Sequence, residues 1–204
     1  MILPMENDSG AGKPVLKDLV RLALDSGASD AAVISPKDIV VRDELAALCR
    51  EPGCAQYGVS ASCPPHVSGP SGFRALQQDM AYAVAFRMEV PSEILLSSDR
   101  RDVFRLLHEI AAGVERAAKE AGYSRSAAFA GGSCKPLFCP DHATCRVVDE
   151  GGPCRNPDLA RPSMSGFGVD VSLLMQQAGW TLNVPGSDEK TPSMSTVAGL
   201  VLVG

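Results

Sequence analysis

Ala81-Tyr82-Ala83-Val84-Ala85-Phe86-Arg87-Met88-Glu89-Val90, followed a few residues later by Asp99-Arg100-Arg101-Asp102-Val103-Phe104-Arg105-Leu106-Leu107-His108-Glu109-Ile110-Ala111, is the stretch on which the fold turns. The first segment is almost continuously apolar, of strand length, and reads as a buried strand. In the second, Val103, Leu106, Leu107, Ile110, Ala111 and Val114 recur at helical spacing on one face. That predicts a helix over residues 99–121, with Gly122 as its stop. Residues 126–130 then read as a short strand running into Gly131-Gly132. A strand, a long amphipathic helix and a second strand in succession favour one sheet with helices packed on it.

Working outward, residues 15–24 have helical spacing and end at Ser26-Gly27, residues 31–34 and 39–41 read as short strands, and residues 43–48 as a helical turn. Residues 73–80 and 169–178 read as helices, and residues 180–184 and 196–203 as strands. Residues 1–12 are polar and glycine-bearing, which suggests a flexible N-terminal arm. No linker or low-complexity block divides residues 13–204, so they are expected to form a single domain. The expected class is α/β (or α+β): a mixed β-sheet flanked by helices, with a cysteine-rich metal-binding lobe made by the loops 49–66 and 131–163.

The 204 residues are 45% hydrophobic and 21% charged, enough for a real core. A formal net charge of −5 argues against nucleic acid as a partner, because phosphate binding wants a basic face. No stretch approaches the roughly 20 apolar residues of a membrane span, and the first residues lack the pattern of a secretory signal. A soluble cytoplasmic protein is expected, so the seven cysteines should be reduced rather than paired.

All seven cysteines fall in two windows, Cys49-x4-Cys54-x8-Cys63 and Cys134-x4-Cys139-x5-Cys145-x8-Cys154. Thiolates favour zinc, copper(I) and iron–sulfur centres. Structural zinc prefers two close pairs, whereas a cluster is wider than one ion and tolerates longer, irregular gaps. Proline after a ligand cysteine, a ferredoxin feature, recurs at Cys63-Pro64 and Cys139-Pro140. One or two [4Fe-4S] clusters are therefore the first expectation, with zinc as the alternative. The second window supplies four thiolates and the first only three. The three-cysteine set could leave an iron open to substrate, take His66 as a further ligand, or be structural. Tyr57, His66 and Arg161 are candidate substrate-binding residues near such a centre. Ser163 is placed to cap a turn beginning at Met164. Gly166-x-Gly168 lacks the full phosphate-binding pattern, and no Walker, HExxH or Gly-x-Ser-x-Gly motif occurs.

The combination of Cys54-Ala55-Gln56-Tyr57-Gly58, Ser62-Cys63-Pro64-Pro65-His66, Gly131-Gly132-Ser133-Cys134, Cys154-Arg155-Asn156-Pro157, Arg161-Pro162-Ser163-Met164 and Gly168-Val169-Asp170-Val171 resembles a family of small cysteine-rich predicted metal-binding (iron–sulfur) proteins of unassigned function. The resemblance runs from about Cys49 to Gly204. It implies a metal role for Cys49, Cys54, Cys63, Cys134, Cys139, Cys145 and Cys154, in a setting of redox metabolism, and supplies no reaction.

Three functions follow as expectations. The first is an iron–sulfur redox protein passing electrons to a partner enzyme. The second is an iron–sulfur enzyme whose three-cysteine cluster presents an open iron to a small-molecule substrate or to sulfur chemistry. The third is a zinc-stabilised interaction module. Whether the chain is an enzyme is left open, as is whether the two windows build two centres or one.

Overall fold

The computed structural model describes residues 12–180 and 193–204. The expected arm lies, apart from Gly12, outside the described residues, as does the greater part of the strand expected over 180–184. Among the described residues four strands form one sheet in the order β1-β2-β4-β3, where β1 is Asp30–Ile34, β2 Tyr82–Pro91, β3 Ala127–Phe129 and β4 Met194–Val203. The helices are α1 (Gly12–Asp25), α2 (Asp43–Ala47), α3 (Gly69–Gln78), α4 (Ser92–Leu96), α5 (Arg100–Glu120), α6 (Cys134–Phe138), α7 (Arg146–Asp149) and α8 (Val171–Gln177). Among the described residues no helix is long and apolar enough to cross a membrane.

The fold is an α+β arrangement with one sheet between helices, as the strand–helix–strand pattern requires. The sheet is not mixed, however. Among the described residues every strand pair is antiparallel, and the parallel pairing found there is a single bridge between Ala130 and Ser163. The reason lies in β4. The β2–α5–β3 unit is a split β-α-β: β2 and β3 run in the same direction, but β4 lies antiparallel between them. The expected parallel neighbours are thus separated by the last strand of the chain.

Alternation along β2 and β4 builds two cores, one on each face. Val84, Phe86, Met88, Val201 and Val203 pack with Leu107, Ile110, Val114 of α5 and Leu16, Leu19 of α1. Ala83, Ala85, Leu200 and Leu202 face Phe73 of α3, Leu174 and Met175 of α8, and Met164 and Phe167. Phe73, Phe129 and Phe167 interlock here, with ring centroids 5.1 to 5.9 Å apart. Because both faces are covered, β2 reads as the nearly continuous apolar run noted above. Gly199 is paired with Phe86 across the strands, and a methyl group there would collide with the Phe86 ring.

α5 ends as its sequence requires. Gly122 takes φ +99°, the Tyr123 N–H reaches the Ala118 carbonyl, and the Gly122 N–H reaches that of Lys119, the paired bonds of a Schellman cap. α8 begins with Asp170, whose carboxylate accepts the Leu173 N–H at 3.1 Å and pairs with Arg42 at 2.9 Å. Two local expectations are corrected. Residues 39–41 contribute only one bridge, Val41 to Val169, beside a 3-10 turn at Pro36–Asp38, since β1 is an edge strand and its outer side is left without a long partner. Ser163 precedes the turn Met164–Phe167 but makes no side-chain cap; its backbone N–H donates to the Ser62 carbonyl at 2.9 Å instead.

Candidate metal centre

Both cysteine-rich loops sit at the end of the sheet where β3 runs out. The first is a string of turns. The backbone N–H of Cys54 reaches the Cys49 carbonyl, that of Tyr57 reaches Cys54, that of Cys63 reaches Ser60 and that of His66 reaches Cys63, while Gly58 N–H donates to the Pro64 carbonyl at 2.8 Å and closes the loop. Gly58 takes φ +74° to make that closure. The loop holds its three thiols at graded depth: Cys63 is buried, Cys49 half-buried and Cys54 exposed. They lie close enough to feel one another. Burial pushes the Cys49 thiol above its ordinary range, and the negative charge of Cys54 and Cys63 pushes it further.

The second loop is built from two short helices. Ser133 caps α6, its hydroxyl accepting the Lys135 N–H at 3.5 Å. Lys135 then folds back, donating to the carbonyls of Cys139 and His142. Asp149 at the end of α7 accepts the Cys145 N–H at 2.8 Å. Asn156 holds the far side: its side-chain amide donates to Cys139 Sγ at 3.2 Å and to the Phe138 carbonyl at 3.2 Å. The result is that Cys134, Cys139, Cys145 and Cys154 all line one small cavity of about 20 Å³, together with Ser60 and Asn156.

The sulfur atoms are met by donors. In both loops a cysteine accepts the N–H of the residue two positions on: Gln56 to Cys54 and Asn156 to Cys154, each at 3.4 Å. At Cys145 burial opposes ionisation, but backbone N–H groups of Ala61, Val148 and Val147 outweigh it and hold the thiol below its ordinary range. At Cys134 burial dominates and raises the thiol, opposed by hydrogen bonds from Ser62 and Ser60, with Cys154 and Cys63 raising it further.

Ala61 and the serines belong to the first loop, so the two loops meet. Ser60, Ser62 and Ser133 are buried and joined oxygen to oxygen, Ser60 to Ser62 at 3.0 Å and Ser60 to Ser133 at 3.1 Å. The Cys134 N–H donates to Ser62 Oγ at 3.2 Å, and Ser62 Oγ lies 3.8 Å from Cys63 Sγ. These hydroxyls are the part of the site that sequence reasoning missed. The available signal was the serine immediately preceding Cys63 and the one preceding Cys134.

The donor set suits a thiophilic centre: soft sulfur ligands, with N–H and O–H groups aimed at sulfur. Among the described residues, no three His, Cys, Asp or Glu side chains converge on a point that could hold a single metal ion. Tyr57 is half-buried in the first loop. His66 is exposed, with Nε2 3.3 Å from the Gly58 carbonyl. Arg161 stands elsewhere. Its guanidinium pairs with Glu115 at 2.6 Å and donates to the carbonyls of Pro157 and Ala160 at 3.0 and 2.8 Å. It lines a separate cleft of about 390 Å³ beside β3, with Glu115 and Lys119.

His108 of α5 supports the second loop from beneath. It is fully buried, its ring meets Phe138 edge-on at 5.6 Å, and its Nδ1 accepts the Arg161 N–H at 3.1 Å, which leaves the proton on Nε2. Nε2 is buried and finds no hydrogen-bond partner among the described residues. Burial pushes this imidazole down from 6.5 to about 4, the nearby Arg161 charge adding to the effect against the opposing Gly131 backbone. Below pH 6.5 the unfolded chain takes up a proton that the folded chain refuses until about pH 4. This histidine's contribution is complete above pH 6.5 and lost as the pH falls from there towards 4. Urea unfolding should show about 2 kcal/mol less stability at pH 5 than at pH 7 from this group. The His108→Gln variant should lack that component; an unchanged pH slope in that variant would assign the loss to other groups.

A family model described as "Predicted metal-binding protein (DUF2284)" matches residues 32–203. No curated protein and no solved structure matches the chain. The chain belongs to this family of predicted metal-binding proteins.

Proposed function

We propose that this member of the predicted metal-binding family carries iron–sulfur clusters on its seven cysteines and passes electrons to a partner enzyme in the cytoplasm. The observation that carries this reading is the ring of Cys134, Cys139, Cys145 and Cys154 around one cavity, with N–H groups from both loops directed at sulfur. Those four residues would hold one [4Fe-4S] cluster. Cys49, Cys54 and Cys63 would hold a second, whose remaining position another donor completes. Such a cluster, when bound, supplies storage and release of one electron.

The chain's own groups account for the rest. Hydrogen bonds from Asn156 and from the Ala61, Val147 and Val148 backbone offset negative charge on sulfur, which favours the reduced state. Exposed Cys54 is the natural side for exchange with a partner, and buried Cys63, close to Cys134, is the natural link inward. A single zinc ion would need four donors at about 2.3 Å from one point, and among the described residues no three such side chains converge so; the long, irregular gaps between the cysteines suit a larger centre. A second reading, in which the open position of the three-cysteine set takes a small-molecule substrate, is favoured by the exposure of Cys54 and by the His66 ring being turned to the Gly58 carbonyl.

Anaerobic purification followed by an absorption spectrum and iron, sulfide and zinc counts tests the proposal. A broad sulfur-to-iron band with about eight irons per chain is expected. A colourless protein holding zinc would overturn it. Addition of cyanide or a small thiol separates the two readings, because a perturbed spectrum reports an open iron.

A further inference from the structure

The outer edge of β3 leaves one residue's backbone without a partner, and it does so beside a cleft. Bonds at the two ends of the strand fix which residues face which way. Arg125 N–H donates to the Gly204 carbonyl at 2.7 Å, on the β4 side. Ala130 N–H donates to the Pro162 carbonyl and the Ala130 carbonyl accepts the Met164 N–H, both at 3.0 Å and both on the opposite side. Backbone groups alternate between the two edges of a strand, so Ala127 and Phe129 bond to β4 and Ala128 faces outward with Ala130. On that outer edge Ser126 turns its N–H back to the Tyr123 carbonyl at 3.1 Å. Among the described residues no backbone group outside the strands pairs with the Ala128 N–H or carbonyl, although the residue is only 3% exposed. Buried backbone groups nearly always have a partner.

The cleft of about 390 Å³ is lined by Ala128 and its two β3 neighbours, by Leu76 of α3, by Pro157 and by Phe167, together with three charged side chains, Glu115, Lys119 and Arg161. The single carboxylate meets both cations, Lys119 at 2.7 Å and Arg161 at 2.6 Å. Arg161 is committed further, to the Pro157 and Ala160 carbonyls. Lys119 spends one of its three ammonium protons on Glu115, so it keeps capacity for an anion. We propose that this cleft binds a small N-acylated amino acid. The ligand's amide N–H donates to the Ala128 carbonyl, and its carboxylate accepts the Ala128 N–H and is neutralised by Lys119. That exchange is the one two residues make in an antiparallel hydrogen-bonded pair. Two cations against one carboxylate leave the cleft one positive charge, the complement of a monoanion. Leu76, Pro157 and Phe167 give the acyl group and the ligand's side chain an apolar wall, and the volume is that of a small-ligand pocket. A peptide strand is not the occupant: strand addition needs a run of open edge, and Ala128 stands between Ser126 and Ala130, whose N–H groups are already engaged. The site uses no metal, so it stands or falls apart from the iron–sulfur reading.

Isothermal titration calorimetry on the full chain, purified anaerobically with its own metal content, tests this with three probes: N-acetyl-L-alanine, N-acetyl-L-alaninamide and propionate. The first should bind. The second lacks the charge and the third lacks the amide, and each should bind about tenfold more weakly or worse, the worth of one charged or buried hydrogen bond. Lys119→Gln should bind acid and amide alike, at the wild-type affinity for the amide. Leu76→Trp fills this cleft and not the neighbouring one that Lys119 also lines, and it should bind none of the probes. If Leu76→Trp does not fold, Lys119→Gln carries the test. No heat with N-acetyl-L-alanine overturns the proposal, as does propionate binding equally tightly. So does a preference for acid over amide that survives in Lys119→Gln, or full binding in a folded Leu76→Trp.

Discussion

Replacing Cys154 by serine is expected to halve the iron retained per chain, from about eight to about four, and to leave the remaining centre spectroscopically whole. Cys154 lies in the ring with Cys134, Cys139 and Cys145, and its sulfur is held by the Asn156 N–H at 3.4 Å. A serine oxygen is a harder, less readily ionised ligand than a thiolate, so the four-donor set drops to three good donors. The first loop does not depend on this residue. Its turns are closed by its own Gly58-to-Pro64 bond, and Cys49, Cys54 and Cys63 are all its own. Cys54→Ser should give the reciprocal result, and because Cys54 is exposed it should do so with little effect on folding. Cys134 is the poorer choice for this experiment, since its backbone N–H and its sulfur both engage Ser62. Iron and sulfide counts with EPR decide the matter. If either single substitution empties the protein, the two loops build one shared centre and the two-centre assignment is wrong. If neither changes the count, the substituted residues are not ligands.

Glu115→Ala should cost about 3–5 kcal/mol, which for a chain of this size is a fall of roughly 10 °C in Tm. Glu115 sits on the buried face of α5 and serves two cations, Lys119 at 2.7 Å and Arg161 at 2.6 Å. The two cations differ in what they can do afterwards. The Lys119 side chain is 45% exposed and can return to water, whereas that of Arg161 is 13% exposed. The guanidinium would keep its bonds to the Pro157 and Ala160 carbonyls but lose its counter-charge, the situation in which breaking a buried pair is most damaging. The double replacement Glu115→Leu with Arg161→Met should recover most of the loss, because it removes both charges together. Removing Asp79 from its exposed pair with Arg125 should cost at most about 1 kcal/mol. Thermal and urea unfolding of the four proteins gives the comparison. A loss below about 1 kcal/mol in Glu115→Ala would mean that Arg161 finds water or another partner. The strap over residues 157–162, which Arg161 ties to α5, joins the second cysteine loop to the sheet.

The local elements were largely legible. α5 declared itself through Leu107, Ile110, Ala111 and Val114 at helical spacing and through Gly122 as its stop, because side-chain burial on one face and a left-handed cap are properties of a short window of chain. β2 was visible as an apolar run for the same reason. The short α4 was not, since Ser92–Leu96 spans little more than one turn and is held in place by its neighbours more than by its own pattern. Of the candidate site residues, the second-loop cysteines could be named from composition, and they do share one cavity. Arg161 could not be placed: an arginine shortly after a cysteine loop reads equally well as a charge for that loop or as a tie to a helix, and its ion pair is with Glu115 of α5.

What the sequence by itself determined was the inventory: two cysteine windows of three and four thiols, a strand–long helix–strand unit, glycine stops, and a chain rich enough in apolar residues to close a core. These follow from side-chain chemistry and from periodicities of a few residues. What only the tertiary structure decided was adjacency. The insertion of β4 between β2 and β3, which makes the sheet antiparallel, joins strands far apart in the chain. The two cysteine loops meet through hydrogen bonds between Ser60 and Ser133 and between Cys134 and Ser62, 73 and 72 residues apart. The depression of the His108 imidazole arises because Phe138 and the Arg161 backbone close over it. In each case the energy comes from burial and hydrogen bonding between distant segments, and no short window of sequence contains both partners.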